Sequence, residues 1–169
     1  MKKLLLLFIV LFAIGSGIQA QTKVPEAKAK FIYNFTKFFE WSQSNQSGDF
    51  VIGVLGSNDI YQELEDFTEG KKVIVKDIKV KQFRSAENVK ECHLLFVSRF
   101  HSRKLPELNE RLGFNTLLVS DSKKGIERGA ALNFVLEDDR LKYEFAASHA
   151  KDKGLKFSSR IKDMAAKNY

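Results

Sequence analysis

Cysteine is almost missing: Cys92 is the only one in 169 residues. No internal disulfide can form, so stability has to come from packing. Cys92 stands between Glu91 and the apolar run His93 to Val97, which predicts a buried thiol at the start of a strand. Metal-binding patterns are lacking as well. The three histidines, His93, His101 and His149, have no ligand spacing to Cys, Asp or Glu, so neither a metal nor another cofactor is expected. No serine lies in a G-x-S-x-G elbow. Cys92 and His93 are neighbours on a strand and point to opposite faces, so they do not work as a pair. Gly53-Val54-Leu55-Gly56 lacks the third glycine of a dinucleotide fingerprint and the lysine of a phosphate-binding loop. Nothing assembles a catalytic site, and the chain reads as a non-enzyme.

Membrane-length apolar segments are also missing. The unbroken apolar run Leu4 to Ile14 has eleven residues, where a bilayer span takes about 20. Lys2 and Lys3 precede it and Gly15, Ser16 and Gly17 follow, the pattern of a secretory signal peptide with cleavage expected after Ala20. The reading is of a periplasmic chain with a signal peptide at 1–20 and one domain at 21–169. Those 149 residues (169 less 20) suffice for a single core. Loss of Lys2 and Lys3 lowers the net charge from +7 to +5. The remaining lysines alternate with acidic or apolar residues, without the concentrated basic face of a nucleic-acid binder, so no nucleic-acid partner is expected.

Aromatic residues, by contrast, are concentrated. Phe31 to Trp41 (FIYNFTKFFEW) holds six of the twenty Phe, Tyr and Trp residues. Read as one helix, it places Phe31, Ile32, Phe35, Phe38 and Phe39 on a core-facing stripe. Lys30, Tyr33, Lys37 and Trp41 then form a second face, a candidate contact for a homodimer or a partner protein.

Three runs of strand length, Phe50 to Gly56, His93 to Ser98 and Asn115 to Ser120, have continuous apolar centres, as strands buried on both faces do. Helical segments separate them, which predicts parallel pairing. Ser57, Asn58 and Asp59 supply capping chemistry for a helix running to about Thr68, with Gly70 as its stop. Lys71 to Phe83 alternates as one half-exposed strand does. Ala131 to Leu136 and Arg140 to Phe145 flank the acidic turn Glu137 to Asp139, and a last helix is expected over Ser158 to Lys167. The fold class is α/β: a single domain with a mainly parallel open sheet, flanking helices and a C-terminal hairpin. In such sheets ligands bind at the carboxyl ends of the strands. Ser57, Asn58, Arg99 and Asp121 fall there and form a candidate small-ligand site.

Three stretches carry a resemblance: Lys28 to Trp41, then Phe50 to Asn58 with Cys92 to Arg99, then Glu127 to Ile161. The last contains Gly129, Asn133 and Phe134 in a Gly-x-x-x-Asn-Phe strand, and Gly154, Leu155, Ser158 and Ser159 in a Gly-Leu-x-x-Ser-Ser turn. Together they resemble the YfiR/HmsC-like family of bacterial periplasmic proteins over nearly the whole mature chain. The resemblance implies a compact periplasmic α/β domain, often dimeric, without catalytic activity. It also implies a regulator of the YfiR type, which represses a membrane-bound diguanylate cyclase by binding its periplasmic sensor region, lowering cyclic di-GMP and disfavouring biofilm. Proteins of that type use disulfides for stability, which Cys92 alone cannot supply. The expected function is therefore a periplasmic regulator that binds a membrane signalling protein through its periplasmic domain. A soluble periplasmic solute-sensing protein is the alternative.

Overall fold

A computed structural model describes residues 19–41 and 48–169. Eight strands form one curled, mostly parallel sheet in the order β10-β8-β7-β6-β5-β2-β4-β3. Its centre is the set of apolar runs: β2 (Phe50–Leu55), β5 (Leu94–Val97) and β6 (Leu117–Ser120), paired in parallel with Ile52 opposite Leu94 and Leu94 opposite Leu117. β4 (Lys76–Phe83) flanks β2, and β7 (Leu132–Glu137) flanks β6, both in parallel. β8 (Arg140–Phe145) returns antiparallel to β7, and β3 (Lys72–Val73) antiparallel to β4. A two-residue strand, β10 (Lys167–Asn168), adds in parallel to the outer edge of β8.

The two faces of these strands bury two separate sets of side chains. On one face Phe50, Ile52, Val54, Leu94, Phe96, Leu117 and Val119 pack under α1 (Gln19–Phe35) and α2 (Asn58–Thr68). On the other, Leu55, Leu95, Val97 and Leu118 pack against Leu105 and Leu108 of α3 (Leu105–Arg111). The result is a three-layer α/β/α arrangement, as a sheet apolar on both faces requires. Ser57 caps α2 by accepting a hydrogen bond from the Ile60 N–H at 3.4 Å. Gly70, just beyond the helix, has a positive φ.

Three expectations change in detail. The aromatic segment is not one helix: α1 ends at Phe35, and three i→i−3 hydrogen bonds lead through Thr36, Lys37 and Phe38 into β1 (Phe39–Glu40). β1 pairs with β9 (Lys156–Phe157) in a separate two-stranded sheet. The single strand expected over 71–83 is a tight hairpin, with Ile74 and Val75 as its loop. After α4 (Ala147–Asp152), the last helix is only Arg160–Asp163 (α5), because Lys167 and Asn168 join the sheet. The acidic turn is as expected, with Asp138 and Asp139 both at positive φ, the backbone of a tight two-residue hairpin loop. The expected leader, residues 1–20, lies outside the described residues except for Gln19 and Ala20, with which α1 begins; so does the polar loop from 42 to 47.

Candidate functional site

At the carboxyl ends of β5, β6 and β7 lies a cleft of about 880 Å³. Val24 and Lys28 of α1 form one wall, and Arg99, Phe100, Ser102 and Arg103 of the turn after β5 form another. The loop after β6 supplies Asp121, Ser122, Lys123 and Arg128, while Phe134 to Leu136 and Leu141 of the β7–β8 hairpin form the floor and far rim. Of the four residues expected here, Arg99 and Asp121 line this cleft and Ser57 and Asn58 do not. Ser57 is occupied in capping α2, and Asn58 accepts a hydrogen bond from Gln82 at 3.2 Å. The space beside Gly56 is filled by His101 and Ser98: a Cβ on Gly56 would lie 2.0 Å from His101 Nδ1. The cleft therefore opens further along the sheet than the sequence suggests.

Asp121 organises it. One carboxylate oxygen accepts from Lys28 Nζ at 2.6 Å and the other from the Arg99 backbone N–H at 2.6 Å. The ion pair is mostly buried and ties α1 to both strand-end loops. Asn133, fully buried on β7, fixes the same loop from below: its Oδ1 accepts from the Ser122 N–H at 3.1 Å, and its Nδ2 donates to Glu144 at 2.9 Å. Five basic side chains line the cleft against this one carboxylate. Lys28 neutralises it, which leaves Arg99, Arg103, Lys123 and Arg128 without a partner among the described carboxylates. Arg128 donates to Ser102 Oγ at 2.6 Å, and the Arg99 guanidinium lies 4.9 Å from the Phe100 ring centre. Phe100 (77% exposed) and Leu136 (62%) stand out into water at opposite rims. A concave, low-dielectric wall carrying one sign of charge concentrates its field on the space it encloses. The cleft sets an excess of positive charge beside apolar side chains.

Sequence reasoning missed Lys28, Arg103, Lys123 and Arg128, because the basic residues look dispersed along the chain. Their spacing carries no signal either: Arg99 and Arg103 are four apart on a 3₁₀ turn, where it is residues three apart that share a side.

The other candidate set, Lys30, Tyr33, Lys37 and Trp41, does not share one helical face. Trp41 lies beyond the end of α1 and is buried, donating its indole N–H to the Thr36 carbonyl at 2.8 Å. Tyr33 is half-buried with its ring edge-on to Phe67 of α2, and Lys37 sits 4.3 Å over the Tyr33 ring. Lys30 and Lys37 are exposed. Trp41, Phe50, His93 and the β3–β4 loop enclose a smaller cavity of about 130 Å³. His93 is stacked on Phe50 at 4.3 Å, and its Nδ1 accepts from the Val51 N–H at 2.9 Å. Burial, and secondarily the charge of Lys76, pushes its pKa down to about 4, so the ring is neutral. Cys92, on the other face, is buried, and burial pushes its thiol up to about 12. Among the described residues no group of three His, Cys, Asp or Glu side chains is placed to hold a metal. No described helix is long and apolar enough to cross a membrane.

The domain is thus a three-layer α/β/α fold with a charged cleft at its strand ends. Residues 25–166 match the family described as YfiR/HmsC-like, and the chain belongs to that family of periplasmic regulatory proteins. No curated protein matches the chain. The positions that carried the resemblance have structural tasks. Gly129, at φ 101°, closes the turn that delivers Arg128 to the cleft. Phe134 is the cleft floor and stacks on Phe35 of α1 at 5.7 Å. The Ser158 N–H donates to the Phe38 carbonyl at 2.8 Å, and Leu155 is buried in the core beneath α1.

Proposed function

We propose that this protein is a non-enzymatic periplasmic regulator that binds the exposed region of a membrane-bound signalling protein, repressing a diguanylate cyclase and with it biofilm formation. The observation that carries the reading is family membership over residues 25–166, which takes in every cleft residue except Val24. Lys30 and Tyr33 of α1 and Lys37 of the turn after it, with Trp41 packed inside, are on this reading the contact for a partner or a second copy of the chain. The test is a pull-down with the tagged exported protein against detergent-solubilised membranes, read by mass spectrometry. The expected catch is a membrane protein with a periplasmic region and a cytoplasmic cyclase, and deleting the regulator should raise cyclic di-GMP. A blank pull-down with unchanged cyclic di-GMP would overturn the reading.

The solute-sensing alternative draws support from the cleft, whose volume lies within the range of small-molecule sites. On that reading a small anion raises the melting temperature in proportion to the logarithm of its concentration. Arg99→Ala should remove the shift.

A further inference from the structure

We propose that the cleft between α1 and the β7–β8 hairpin is the docking site for an acidic amphipathic segment of a protein partner, one with carboxylates flanking an apolar anchor. The partner's being a membrane signalling protein rests on the regulator reading; the chemistry of the segment does not. Four cations, Arg99, Arg103, Lys123 and Arg128, face the same space without a described carboxylate to neutralise them. Between them lies an apolar floor of Phe134, Val135 and Leu141. A small anion would satisfy the cations and leave Phe100 and Leu136, on opposite rims, in water. A lipid surface is flat and does not reach a concave floor. An extended or helical peptide covers both rims at once and brings carboxylates to the arginines. Exposed aromatic and arginine side chains are the usual anchors of such contacts. The site is also pre-formed: the Lys28–Asp121 pair and the Asn133 hydrogen bonds hold its walls, which cuts the ordering cost of binding.

The probe is a fluorescein-labelled synthetic peptide of alternating Glu and Leu blocks, titrated with the exported protein and read by fluorescence anisotropy. Binding should weaken with added salt and should fail for a matched peptide with Ser in place of Leu. Arg103→Glu and Lys123→Glu reverse exposed side chains that take part in no ion pair, so the fold should survive, checked by thermal melting. Each should weaken binding by about tenfold or more, equivalent to ~1.4 kcal/mol. Lys79→Glu, on β4 across the sheet, makes the same charge change and should leave binding unaltered. No binding, equal binding of the Ser peptide, or full binding by the two cleft variants would each overturn the proposal. The pull-down separates the two readings. A membrane partner captured equally by Arg103→Glu sinks the cleft proposal and leaves the regulator. Cleft-dependent peptide binding without any membrane partner does the reverse.

Discussion

Asn133 and Asp121 show how much of this site is held by polar side chains with little or no access to water. Each satisfies groups on two different segments, so removing either leaves a buried donor or charge unpaired at a cost of about 1–3 kcal/mol or more. His93 is the residue whose chemistry depends most on pH. Its folded-state pKa is depressed to about 4, against an unfolded value near 6.5. The unfolded chain thus binds a proton that the folded one refuses. Stability from this group is complete above about pH 6.5, falls as the pH drops towards 4, and is flat below; the span is on the order of 3 kcal/mol. Urea midpoints at pH 7 and pH 4.5 should show that fall, and His93→Gln should flatten it while lowering stability at pH 7. An undiminished fall in the variant would move the effect to another group. That Cys92 and His93 point to opposite sides was legible, but not which side each takes: the strand begins only at Leu94, and Cys92 packs with Leu95 and Val97 while His93 stacks on Phe50. The role of Asn133 as a tie between loop and strand was not legible, since its partners at Ser122 and Glu144 are set by tertiary pairing.

Elements differ in how plainly the sequence announces them. The three central strands have continuous apolar centres and are bounded by polar residues, which leaves few alternatives. The segment 31–41 is ambiguous for a physical reason. Aromatic residues at 35, 38 and 39 satisfy both a helical stripe and a strand that buries Phe39, and only pairing with Lys156 and Phe157 selects the second. The β3–β4 hairpin hides for another: Ile74 takes φ +59° at the first loop position, where glycine is the usual residue. A β-branched side chain there is strained. Because Ile74 is 63% exposed, little burial is lost on replacing it. Ile74→Gly should therefore stabilise by about 1 kcal/mol, strain relief outweighing the extra chain entropy. That is a rise of roughly 2–4 °C in melting temperature for a domain of this size. A lower melting temperature would mean that the loop's apolar side chains contribute packing over Trp41 and Phe50.

At the scale of the whole molecule, the fold class was readable and the cleft only by half. Arg99 and Asp121 sit at strand ends, where α/β sheets bind ligands, but Lys28, Arg103, Lys123 and Arg128 come from three segments far apart in the chain. No sequence spacing links such positions; the sheet order does. The lone thiol gives a whole-molecule prediction. Cys92 is buried between the sheet and α3, with its pKa near 12. A maleimide dye should react with it only through global opening, at a rate that follows unfolding across a denaturant series. Fast labelling in native buffer would mean that this layer opens by itself.

The aromatic cluster under α1 has a kinetic corollary. Phe31 and Phe35 pack on Phe134 and Tyr143, so a segment near the start of the domain closes on partners 108 positions later, counting from Phe35 to Tyr143. Helices usually form early from local bonds, yet contacts of such sequence separation wait for a long loop to close. Until the β7–β8 hairpin exists, the apolar side of α1 has only α2 and the central strands to rest against. A helix made before its partners is thus covered only after them, and for that interval its apolar side calls for shielding by a chaperone.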